Sequence, residues 1–185
     1  MKTLLTLILC LLTAVNSYAQ KDTTGLNMPF SNGKLIYTEV VNASSLNKLD
    51  LYKNGKQWFV DTFKSPRNVI QSEDKEDGLI VGKGMVYVSY KSMIGVNNLE
   101  NSFSIKLECK DGKYRYSFYD MSIEHESLGT LYPSTLVDGI VGNPMHGQQT
   151  FTKKISRQIL ESIDFETKIM IQSLKTAMNK KLNDF

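Results

Sequence analysis

The sequence predicts an α+β protein built on an antiparallel sheet of about five strands, with its elements in β-α-β-β-β-β-α order. Three observations carry that prediction. Over Ser102–Lys110, Phe103, Ile105, Leu107 and Cys109 alternate with Ser104, Lys106, Glu108 and Lys110. A period of two marks a strand with one buried and one wet face. Two turn signals, Glu73–Gly78 and Asp111-Gly112, join neighbouring strands as hairpins, which makes the sheet antiparallel. Two stretches with apolar residues three and four apart, one before the hairpins and one at the C-terminal end, are helices.

Residues 1–19 read as an export signal. Lys2 supplies a short positive region, Leu4–Val15 a compact apolar run, and Ser17-Tyr18-Ala19 the small residues that place cleavage between Ala19 and Gln20. The run is shorter than the ~20 apolar residues a spanning helix needs, and no later segment approaches that length. Cys10 follows Leu7-Ile8-Leu9 in mid-run, which is not the setting of a lipid-attachment cysteine. The expected mature protein is exported, periplasmic or extracellular, is not a lipoprotein, and has no transmembrane segment. Its formal charge of +3 falls to +2 with the loss of Lys2. That near-balance gives no basic footprint for nucleic acid. Cys109 is then the one remaining cysteine, so the core rather than a disulfide must hold the fold. Removing 19 of 185 residues leaves 166, the size of a single domain.

Residues 20–32 are a polar leader, and one domain follows over 33–185. Lys34–Val41 is rich in β-branched and aromatic residues and reads as the first strand. Ser44 and Ser45 offer an N-cap for a helix running to about Phe63. Its stripe is Leu46, Leu49, Tyr52, Lys56, Phe59 and Phe63, with Trp58 beside it. Gly55 within that helix costs up to ~1 kcal/mol relative to Ala, which points to a close approach to the sheet. Ser65-Pro66 ends the helix, because the residue before proline avoids the α region.

Val69–Ser72 is a short strand, Glu73–Gly78 a charged turn and Leu79–Tyr90 a long strand. Gly82 and Gly84 share one face of it and read as the place where the sheet curves over a helix. Lys91–Asn101 reads as a loop before the alternating strand. Past the Asp-Gly turn, Tyr114–Glu126 is the partner strand. Tyr114, Tyr116 and Phe118 share a face, while Met121 and Ile123 have the opposite parity. A one-residue bulge near Tyr119-Asp120 brings both sets to the core. Residues 128–150 form a loop insertion punctuated by Gly and Pro. Thr152 caps the final helix, whose inward stripe is Ile155, Ile159, Ile163, Met170, Leu174 and Met178.

Chemistry is sparse. Of the two histidines, His125 lies between Glu124 and Glu126, where alternation sends the imidazole and the carboxylates to opposite faces. His146 sits in the long loop with no second ligand nearby in sequence. Alternation buries Cys109, and a reactive thiol needs an exposed, electropositive niche. Glu73, Asp74, Glu76 and Asp77 crowd one turn but read as solvated rather than as a calcium site. There is no nucleophile elbow, phosphate loop or zinc-protease motif. The sequence therefore offers no catalytic, cofactor-binding or metal-binding residue, and the protein is not expected to be an enzyme. Two features offer a contact surface: the wet sheet face with Lys106, Arg115 and Tyr119, and the loop with Leu131, Tyr132, Ile140 and His146.

The segments LIYTEVV, LYKNGKQWF, NVIQSEDKEDGLIVGKG and KLECKDGKYRYSFYD, in that order, resemble a family of exported proteins of Bacteroidetes-type bacteria, the domain of unknown function 4468 with a TBP-like fold. The resemblance spans Lys34–Glu126. It implies a curved antiparallel sheet with helices on its convex side, and it implies no activity. TATA-binding proteins use their sheet on DNA, but a shared fold does not transfer that function. The leading expectation is a non-catalytic binding or interaction module of the bacterial cell envelope, whose partner is an envelope protein. The alternative is a carrier of a small hydrophobic ligand between the sheet and the C-terminal helix.

Overall fold

The computed structural model describes residues 26–31, 33–63, 69–127, 130–137 and 151–180. The signal segment with Ala19 and Gln20, the Ser65-Pro66 pair, and Ile140 and His146 of the loop lie outside them. The leader ends in structure. β1 (Phe30–Ser31) and β2 (Lys34–Leu35) form a small hairpin of their own, and Met28 and Leu35 are buried.

A six-stranded antiparallel sheet follows. It comprises β3 (Tyr37–Asn42), β4 (Ile70–Asp74), β5 (Leu79–Ser92), β6 (Gly95–Lys110), β7 (Lys113–Ser127) and β8 (Thr130–Leu136). The order across it is β3-β7-β6-β5-β4. β8 lies on the same edge of β7 as β3, one beyond the other: β3 pairs Lys113–Phe118 and β8 pairs Ser122–Ser127. Asp120, at φ +51°, falls between them. It lies in the expected bulge, where the β6–β7 register shifts between Ser102 and Ser104. Because of that shift Phe118 and Met121 both face the core, at 0% and 1% exposure.

Two expectations of loop are corrected. Lys91–Asn101 is not a loop: β5 and β6 pair without interruption from Leu79↔Glu108 to Ser92↔Gly95, around a turn at Met93 and Ile94. The asparagines at 97, 98 and 101 lower strand propensity, and fourteen paired positions override it. The insertion at 128–150 likewise contributes β8, so the sheet has one strand more than the five expected.

α1 spans Lys48–Thr62 and α2 spans Lys153–Met178. Both lie on one face of the sheet. The cap of α1 is Asn47, whose Oδ1 accepts from the Asp50 N–H at 2.9 Å; it is neither Ser44 nor Ser45. The Asp111-Gly112 turn dictates this start. Asp111 Oδ1 accepts from the Lys48 N–H at 2.8 Å, and Gly112 exchanges backbone bonds with Ala43 and Leu46. The stripe also rotates. Leu51, Trp58 and Phe59 are buried, whereas Leu49 is exposed. Gly55 does make the close approach: a Cβ there would overlap the side chain of Leu107 on β6. α2 follows its expected cap, with Thr152 Oγ1 accepting from the Ile155 N–H at 3.3 Å, and its expected stripe.

The side chains between sheet and helices are withdrawn from water. Phe59, Phe103, Ile105, Leu107, Phe118 and Ile163 are at most 2% exposed. Each such side chain contributes roughly 1.5–3 kcal/mol by leaving water. Trp58 sits edge-on to Phe59 and Phe118, with ring centroids 5.2 and 6.4 Å away. Hydrogen bonds tie α2 to both sides of the sheet. On one side Tyr37 donates to Asp164 at 2.8 Å and Lys175 to Glu39 at 2.6 Å. On the other, Ser162 and Gln158 accept from the N–H groups of Ser89 and Lys91. These last two bonds occupy the stretch of β5 beyond its pairing with β4, blunting an edge open to strand addition.

Candidate functional site

Alternation along each strand sends every second side chain to the face that neither helix covers. The register aligns those side chains in rows. At the Asp-Gly end stand Asn42, Lys113 and Lys110; next come Val40, Arg115, Glu108 and Leu79; then Thr38, Ser117, Lys106 and Val81; then Tyr119, Ser104 and Lys83. Farther along are Ser122, Ser102 and Met85, then Glu124, Glu100 and Tyr87. The face is therefore graded in charge, cationic at the Asp-Gly end and acidic beyond Met85.

Its hydrogen bonds are specific. Arg115 grips Glu108 in a bidentate pair, Nε to Oε2 at 2.7 Å and an Nη to Oε1 at 2.8 Å. Lys106 Nζ stands 3.2 Å from the same carboxylate. The Arg115 hydrogen bonds hold the Glu108 carboxyl below its ordinary range, with Lys106 acting in the same direction. Tyr87 donates to Glu100 at 3.2 Å. A shallow pocket of about 220 Å³ opens at the Asp-Gly end against Val40, Glu108, Lys110, Lys113, Tyr114 and Arg115.

The structure thus brings three of the expected contact residues, Lys106, Arg115 and Tyr119, onto one face. Leu131 and Tyr132 lie on β8, paired with Glu126 and His125 of β7. Sequence reasoning missed Val40, Met85 and Tyr87, which are 57%, 41% and 60% exposed on this face. It also gave no role to Lys110 and Lys113. The alternation of Ser102–Lys110, continued across the Asp-Gly turn, was the signal available for the two lysines.

Elsewhere the titratable groups hold the fold together. Burial pushes the Cys109 thiol up to about 12, as expected of a core cysteine. Glu73 faces α1, accepting from Lys56 and Tyr52 at 2.8 Å each. Asp74 accepts from the Asp77 N–H at 3.0 Å. The turn carboxylates thus point to different partners, and among the described residues no three His, Cys, Asp or Glu side chains gather as a metal site. Among the described residues no helix is long and apolar enough to cross a membrane.

An antiparallel sheet with two helices on one face and the other face bare defines the TBP-like α+β class. Residues 37–124 match the family described as a domain of unknown function (DUF4468) with TBP-like fold. Two solved structures share the fold. One is a DUF4468 family protein from Bacteroides ovatus, 14% identical, with a TM-score of 0.64 over 83% of this chain and 91% of that one. The other is a TBP-like protein from Parabacteroides distasonis, also 14% identical, with a TM-score of 0.65 over 83% of this chain and 99% of that one. No curated protein matches the chain.

Proposed function

We propose that this protein is a non-catalytic binding module of the bacterial cell envelope, and that the helix-free face of its sheet is the contact surface. One observation carries the reading. Val40, Met85 and Tyr87 stand exposed on that face among charged and polar side chains, while the side chains on the helix face of the same sheet are buried. Met85 and Tyr87 adjoin on β5, and adjoining exposed apolar side chains rimmed by polar ones mark interaction surfaces. The signal-like residues 1–19 support a location outside the cytoplasm.

Photo-crosslinking in the native host tests both parts. A photoreactive residue at position 40, 85 or 87 is expected to give discrete adducts with an envelope protein. The same residue at Phe165, 62% exposed on α2, is expected to give none. Equal adducts from both surfaces would sink the assignment of the sheet face. N-terminal sequencing of the protein from the exported fraction is expected to begin at Gln20.

A further inference from the structure

Lys110 and Lys113 are a direct cross-strand pair at the base of the β6–β7 hairpin. Like charges placed opposite each other on a sheet face destabilise it. A compensating carboxylate would be the ordinary remedy, and two are close by in sequence. Both are committed elsewhere. Asp111 Oδ1 accepts from the Lys48 N–H at the start of α1. Glu108 is taken by Arg115 through both oxygens and by Lys106. Among the described residues neither lysine has an ion pair. Both lysines line the pocket with Arg115 and its engaged partner Glu108, against Val40 and Tyr114.

We infer that this corner is an oxyanion subsite, taking a carboxylate or phosphate group whose aliphatic neighbour rests on Val40. The inference rests on the sheet face being the contact surface and names the chemistry it recognises there. Two unpaired ammonium groups act as point charges, which suits an oxyanion approached from several directions. Arg115 and Glu108 neutralise each other, so the two lysines carry the recognition. The arrangement stabilises a bound anion at a cost to the free fold, the compromise expected of a binding site and not of a plain solvated strand end.

The test follows backbone amide shifts of the isotope-labelled mature protein. Inorganic phosphate and succinate are titrated separately, each against sodium chloride at matched low ionic strength. Saturable shifts confined to Asn42, Lys110, Lys113 and Arg115 are expected with at least one oxyanion, and the stronger of the two names the source. Lys110→Gln with Lys113→Gln should weaken that binding about ten-fold or more, two charge-assisted contacts being lost. Lys113→Glu should abolish it and raise the thermal midpoint, because a cross-strand repulsion becomes an attraction. Shifts no larger than those with chloride, binding that survives Lys113→Glu, or a lowered midpoint in that variant would each overturn the inference. A null titration alongside persistent crosslinks from positions 40 and 87 removes the oxyanion subsite alone; loss of those crosslinks removes the contact surface itself.

Discussion

Gly84 and Asn101 face the same core from neighbouring strands and sit there for opposite reasons. A Cβ on Gly84 would stand 2.6 and 2.7 Å from two ring atoms of Phe103 and 2.7 Å from one of Phe63. Phe103 is 2% exposed and cannot swing aside. The glycine therefore makes room for aromatic rings that a Cβ would displace. Gly84→Ala is expected to destabilise the protein by about 1–3 kcal/mol through overpacking, read as a lowered urea midpoint with unchanged slope. Asn101 is fully buried between Val86 and Ile123, and neither of its amide atoms meets a protein partner. Leaving a buried polar group unmatched costs about 1–3 kcal/mol. Asn101→Leu, close to it in shape, is expected to raise stability by an amount in that range. A decrease in the urea midpoint would show that the amide is satisfied in solution. Sequence alone could place Gly84 on the inner face, since parity is local. It could not show which ring fills the space, because Phe63 arrives from another element.

The start of α1 shows the same division between local and distant information. Ser44, Ser45 and Asn47 are all competent caps by composition. The choice among them is made by Asp111, which binds the Lys48 N–H from a turn sixty-three residues away. Asn47→Ala is expected to cost about 1 kcal/mol, the usual loss of a cap, whereas Ser44→Ala and Ser45→Ala should stay within about 0.5 kcal/mol of the parent. Equal losses at 45 and 47 in chemical denaturation would contradict the observed cap. Elements with a strong period of their own needed no such help. Strand Ser102–Lys110, the Asp-Gly turn, the bulge at Asp120 and the stripe of α2 were all legible, since each is written in a few consecutive residues. The outer half of the β5–β6 hairpin was not, because Val96–Asn101 has weak strand propensity and is held by pairing with β5. The helix-free face was half legible for the same reason. Lys106 and Arg115 follow from alternation, but their meeting with Val40 requires the β3–β7 register.

At the scale of the molecule, four buried tyrosines give stability a definite alkaline limit, and two of them, Tyr37 and Tyr52, join the sheet to the helices. Tyr37 donates to Asp164 on α2, Tyr116 to Glu39 on β3 and Tyr52 to Glu73 on β4. Tyr114 is 1% exposed. Burial is the largest cause in each case and opposes the charged phenolate; the carboxylate partners of the first three act in the same direction. Tyr52 and Tyr114 are pushed up to about 12, and Tyr37 and Tyr116 higher still. The unfolded chain releases these protons near 10. A group whose folded value is raised contributes stability that is complete below its unfolded value and lost as pH climbs toward the folded one. The four should therefore leave stability level up to about pH 10 and erode it steeply above. Tyrosinate absorbance and far-ultraviolet circular dichroism, followed together from pH 8 to 13, check this. The expected outcome is a late absorbance step that coincides with loss of dichroism, since these phenols ionise when the sheet and helices part. Tyr37→Phe should leave the interior packed while removing the bond to Asp164, and should make the alkaline transition shallower. Four phenols titrating smoothly near 10 with the dichroism intact would show that the tyrosines are accessible in solution. The helices would then hold the sheet less tightly than the packed core implies.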